Sequence, residues 1–109
     1  MKQNYRIMRL FVLFDMPVET AAQRREYSRF RKSLLKWGFI MVQYSVYARL
    51  CQNESDVDKN INRVLSFNPK FGNIRILKVT ENQYDSMIIV HGEKSLQESI
   101  TEAEDLLIV

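Results

Sequence analysis

Leu10-Phe11-Val12-Leu13-Phe14 is an unbroken apolar run that stops at Asp15-Met16-Pro17. So short a run without polar alternation predicts a strand covered on both faces, with a carboxylate delivered at its carboxyl end. From Glu19 to Trp37 the period changes. Tyr27, Phe30, Leu34 and Trp37 recur at spacings of 3, 4 and 3, which predicts the buried face of an amphipathic helix. Thr20 is a candidate N-cap, and Gly38 stands where a left-handed C-cap is favoured. Phe39 to Leu50 reads as a single strand of twelve residues, because Gln43-Tyr44-Ser45 holds no glycine or proline to break it. A second helix is expected from Ser55 to Phe67, capped by Ser55 or Asn53 and stopped by Asn68-Pro69, with Val57, Ile61, Val64 and Leu65 inward. Asn73 to Thr80 predicts another strand and Met87 to Val90 a short one ending at His91-Gly92. Leu106-Leu107-Ile108-Val109 is an apolar stretch of β type behind an acidic spacer. The order β-α-β-α-β implies an α+β two-layer sandwich with both helices on one face of a sheet.

A chain of 109 residues, 46% hydrophobic and 27% charged, has the make-up of one globular domain, with no repeat or low-complexity tract to suggest a second. We assign residues 1–92 to that domain and 93–109 to an acidic tail. The five-residue apolar run behind Lys2, Arg6 and Arg9 is too short for a signal sequence or a membrane span, so a cytoplasmic protein with no membrane partner is expected. The single cysteine, Cys51, excludes an internal disulfide and a thiolate-rich metal site, and reads as a structural or surface thiol.

The net charge of +3 hides a strong polarity. Residues 1–40 hold nine Lys/Arg against three Asp/Glu, a net of +6, whereas residues 76–109 hold two against seven, a net of −5. On the first helix Arg25, Arg29, Lys32 and Lys36 fall within a sector of about 60°, opposite the apolar face, at 100° per residue. Four aligned cations can follow successive phosphates without reading bases. Arg6 and Arg9 could extend that surface, as could Arg49 and Arg75, and no base-reading motif is present. Nucleic-acid recognition by shape and charge is therefore expected, with a solvated charged helix as the plainer alternative.

Asp15 fits two roles: a ligand for a hard cation such as Mg²⁺, or a cap hydrogen-bonded to the amides of the turn from Met16 to Glu19. Glu19 lies four residues on, and Asp56 and Asp58 belong to another helix, so one chain supplies no evident second carboxylate. Ser45 has no His or Lys close in sequence, which argues against a hydrolytic triad. His91 lacks any ligand-type neighbour at metal spacing and reads as a surface or interface residue.

An apolar strand ending in Asp15, a basic helix closing on Gly38, and Val42-Gln43-Tyr44-Ser45-Val46-Tyr47 together resemble the Cas2 family of small CRISPR-associated adaptation proteins, over nearly the whole chain. The resemblance implies a ferredoxin-like βαββαβ fold in which the stretch after Gly38 bends near Gln43 to Ser45 into two strands. It implies a homodimer in which Asp15 meets its own copy across a two-fold axis, giving a paired-carboxylate Mg²⁺ site and a role in catalysis, with Ser45 and Tyr47 beside it. It also implies partners, namely duplex DNA or RNA and the larger CRISPR-associated integrase, in spacer acquisition. Leu106, Leu107, Ile108 and Val109 are expected to add a strand to a partner's sheet. Two departures stand out: Phe14 where many members carry Tyr, and Met41 where many carry Arg, both of which weaken a nuclease role more than a scaffold role.

Overall fold

The computed structural model describes residues 6–92, so the expected tail and its terminal strand at Leu106 to Val109 lie outside the described residues. Seven elements follow one another: β1 Met8–Asp15, α1 Ala21–Lys36, β2 Ile40–Gln43, β3 Val46–Cys51, α2 Glu54–Phe67, β4 Asn73–Thr80 and α3 Glu81–Asp85. The sheet order is β2-β3-β1-β4, antiparallel throughout, which together with two covering helices is the ferredoxin-like βαββαβ plait.

β1 is central, and its alternation decides what each face does. Met8, Leu10, Val12 and Phe14 point to the helices and join Phe30, Leu34, Tyr47, Val57 and Val64 in the main core. Arg9, Phe11, Leu13 and Asp15 point the other way, to a face that no long helix covers. There Phe11 and Ala48 pack with Tyr84 of α3 as a second, smaller cluster.

The caps explain the boundaries. The Thr20 hydroxyl accepts from the Gln23 amide at 3.1 Å while the Gln23 side chain accepts from the Thr20 amide at 3.0 Å, a reciprocal capping box that starts α1. Gly38 at φ +89° ends it, with the Phe39 amide donating to the Leu34 carbonyl at 2.9 Å. Asn53, one of the two candidates, caps α2, and Asn68 closes it in the left-handed region at φ +49°.

Three expectations are corrected. The twelve-residue strand from Phe39 to Leu50 is a hairpin: Gln43 pairs with Val46, and Tyr44-Ser45 form the turn with Ser45 at φ +65°. No glycine marks it, because the tertiary ladder pins it, with the Phe14 amide donating to the Ser45 carbonyl at 3.0 Å. Met87 to Val90 is not a strand, since a strand exists only by pairing and no neighbour offers it a ladder among the described residues. Instead Ile88 and Val90 stand 84% and 95% exposed. Finally, α3 went unexpected although Thr80-Glu81-Asn82-Gln83 is a second capping box, with Gln83 N to Thr80 Oγ1 at 3.1 Å and Thr80 N to Gln83 Oε1 at 2.8 Å.

Candidate nucleic-acid interface and carboxylate site

The helix stripe is built as its spacing requires. Arg25, Arg29, Lys32 and Lys36 are all exposed on α1, and none makes an ion pair among the described residues. Arg29 lays its guanidinium 5.4 Å from the centre of the Phe67 ring, which turns the stripe toward the carboxyl end of α2. The neighbouring cations have structural duties: Arg24 donates to the Val18 and Glu19 carbonyls, and Arg31 donates to the Tyr47 hydroxyl at 3.0 Å.

The remaining basic residues scatter. Arg6 is exposed and lines a cleft with Thr80, Glu81 and Asn82. Arg9, expected on the cationic surface, is instead 1% exposed, with Nε 2.7 Å from Glu81 Oε2 and its guanidinium 4.2 Å over the Tyr84 ring. A cation held this way is unavailable to phosphate. Arg49 donates to the Trp37 and Leu50 carbonyls at 2.8 and 2.6 Å, so it stitches β3 to the end of α1. Arg75 lies across the sheet from the stripe, opposite Leu13 and next to Asp15.

Asp15 ends β1 opposite Asn73, exposed on the helix-free face, in a cleft of about 220 Å³ with Leu13, Phe14, Asn73 and Arg75. Its backbone is fixed by close packing. A Cβ on Gly72, which sits at φ +82°, would lie 2.3 Å from the Asp15 carbonyl oxygen, so only glycine fits there. The carboxylate makes no hydrogen bond to the amides of Met16 to Glu19 among the described residues, which removes the support for a turn cap. Ser45 reaches the site through its carbonyl, bonded to the amide next to Asp15. Tyr47 does not: it pairs with Val12, faces the helices at 1% exposure and packs 5.7 Å from the Phe14 ring, so it supports the strand from beneath.

The stripe and Asp15 thus occupy opposite layers. No group of three or more metal-binding side chains occurs among the described residues, and Asp15 is the one carboxylate that lines its cleft. His91 is exposed and Cys51 is buried, its thiol pushed up to about 11 by burial and then by Asp56, which leaves it unreactive at neutral pH.

Sequence reasoning overlooked Glu26. It is buried, and its carboxylate accepts the backbone amides of Lys70 and Phe71 at 3.0 to 3.1 Å, tying the loop before β4 to α1. Its position one turn before Phe30, on the apolar face of the helix, was the available signal.

An antiparallel ferredoxin-like sheet under two covering helices, with an acid ending its central strand and a basic first helix, defines the class: a small two-layer α+β protein. The family described as "CRISPR associated protein Cas2" matches residues 8–87, and the chain belongs to it. Similar proteins named "CRISPR-associated endoribonuclease Cas2" include one from Ligilactobacillus salivarius, 44% identical over 94% of this chain and 100% of the relative, and one from Streptococcus mutans, 49% identical over 80% of each. The crystal structure of Streptococcus pyogenes Cas2 at pH 6.5 has the same fold, with a TM-score of 0.58 at 20% identity over 76% of this chain and 99% of that one. No helix among the described residues is long and apolar enough to cross a membrane.

Proposed function

We propose that this chain is a dimeric scaffold of CRISPR spacer acquisition that grips the phosphate backbone of duplex DNA and bridges dimers of the CRISPR-associated integrase. The observation that carries the reading is the α1 stripe, four exposed cations with no carboxylate partner among the described residues. Dimerisation is supported by the helix-free face of the sheet, where Leu13 and Leu77 are exposed, and by the unpaired apolar stretch Met87 to Val90. Reversing Arg29→Glu with Lys32→Glu is the test. Affinity for every duplex sequence should fall, and the log-log salt slope should flatten by about 0.9 for each phosphate that the protein no longer neutralises. An unchanged slope would sink the stripe as the interface.

A second reading is favoured by Asp15, an exposed carboxylate whose backbone is held by close packing against Gly72. In a two-fold dimer two copies would stand together and hold Mg²⁺, which would supply an activated water for phosphodiester hydrolysis, as the names of the relatives suggest. Asp15→Asn keeps shape and removes charge. Nuclease activity that survives this change rules out the catalytic reading, and spacer acquisition that survives it favours the scaffold.

A further inference from the structure

The cationic stripe of α1 has a counterpart on α2 that neither reading uses. The two helices run antiparallel, side by side. Glu26 holds the amides of Lys70 and Phe71, the Phe30 ring packs 4.8 Å from that of Phe67, and the Trp37 carbonyl accepts from Arg49, itself 3.5 Å from Asp56. On α2, Lys59, Arg63 and Phe67 follow one another at four-residue spacing and so form one row. Arg29 overlies Phe67, so this row faces α1. Lys70, exposed in the loop that Glu26 fastens, continues it. Lys59 is 3.6 Å from Asp56 and partly neutralised by it. Arg63 instead donates to the neutral Asn60 Oδ1 at 3.2 Å, and neither Arg63 nor Lys70 makes an ion pair among the described residues. The seam between the helices is therefore banked by cations on both sides.

We propose that Arg63 and Lys70 hold the second strand of a duplex while the α1 stripe holds the first, so that the helix layer straddles the minor groove of B-form DNA. This rests on the reading of α1 as the phosphate-binding helix, and it extends the contact from one strand to two. Two lengths fit. Packed helix axes lie about 8–10 Å apart, close enough to bracket a groove about 6 Å wide together with its phosphate walls, and too close for the major groove at about 12 Å. From Arg25 to Lys36 the stripe rises about 16 Å, the length of about five phosphates along one strand. An RNA duplex fits this spacing less well, because its minor groove is wide and shallow. Preference for DNA over RNA duplex is thus expected without any base contact.

The test uses the full chain and a random-sequence duplex in three forms: DNA, DNA with one strand built entirely of neutral methylphosphonate linkages, and RNA. On fully charged DNA, Arg63→Gln with Lys70→Gln should weaken binding and lower the log-log salt slope by about 1.8, two contacts at about 0.9 each. On the half-neutral duplex wild type and variant should bind alike, because the strand that the α2 bank would hold carries no charge. Arg63→Lys with Lys70→Arg keeps both charges and should restore the wild-type slope, which separates lost charge from lost fold. Wild type should bind the DNA duplex more tightly than the RNA duplex.

The failures are separable. If the glutamine variant binds charged DNA as wild type does, while Arg29→Glu with Lys32→Glu still weakens binding, the α2 bank has no part and the α1 reading stands. An equal loss on charged and half-neutral duplexes puts Arg63 and Lys70 on the same strand as α1, which also overturns the straddling. RNA bound as tightly as DNA overturns the assignment to the minor groove. An α1 reversal without effect removes the reading beneath the proposal, and the proposal with it.

Discussion

Arg9 and Asp15 sit at opposite ends of the same strand and point to the same face of the sheet, yet one is sealed and the other bare. At the Arg9 end the chain leaves β4 through Thr80, and its capping box turns Glu81 and Tyr84 back over the guanidinium. At the Asp15 end the chain enters β4 through Gly72, which lies against the Asp15 backbone and carries no side chain to cover the carboxylate. The difference lies in what β4 brings to each end, and β4 is far away in sequence. A charge at the rim of a sheet is structural where a later segment folds over it, and available where that segment is glycine.

The comparison can be broken most severely from the Arg9 end. Glu81→Ala removes a carboxylate from a guanidinium in the interior, and should cost about 3 kcal/mol of stability, toward the lower limit for a broken buried pair because Glu81 is itself 26% exposed. Urea unfolding would read this as a lower midpoint, and a midpoint within error of wild type would show that the pair is not what holds α3. At the opposite end, Gly72→Ala places a Cβ against backbone and at a positive φ, and should cost about 2 kcal/mol with the damage confined to the β1–β4 end near Asp15. Hydrogen exchange should accelerate there first. Uniform protection along β4 would contradict it.

Cys51, paired with Met8 at the sealed end but facing the helices, adds a pH test. Burial raises the folded thiol from 9.0 to about 11, so the folded state holds its proton longer than the unfolded chain does. The contribution is complete below pH 9 and is lost as pH climbs from 9 to 11, on the order of 2 kcal/mol in all. In Cys51→Ala the fall over that window should flatten, and an equal fall in both proteins would assign the alkaline loss elsewhere. The smallest stability effect belongs to Asp15→Asn. An exposed carboxylate with no bond among the described residues should change stability by no more than about 0.5 kcal/mol, so any loss of function in that variant is chemistry or assembly, not folding.

Much of this molecule was legible along the chain. The unbroken run Leu10 to Phe14 fixed the central strand, the 3, 4, 3 spacing from Tyr27 to Trp37 fixed the first helix and its cationic side, and Asn68-Pro69 fixed where α2 ends, because each depends on neighbours within a turn or a pleat. The Tyr44-Ser45 turn was not legible in local chemistry, since a β1 amide holds Ser45 and no residue in the turn prefers its backbone; only the family resemblance anticipated a bend there. Nor did local pattern distinguish Arg9 from Arg29, both cations beside apolar residues, one buried under α3 and the other open to solvent. Sequence by itself determined the period, the caps and the charge polarity. Tertiary structure alone decided which charges are neutralised, because burial and ion pairing depend on segments that meet only after the sheet has closed its register around β1.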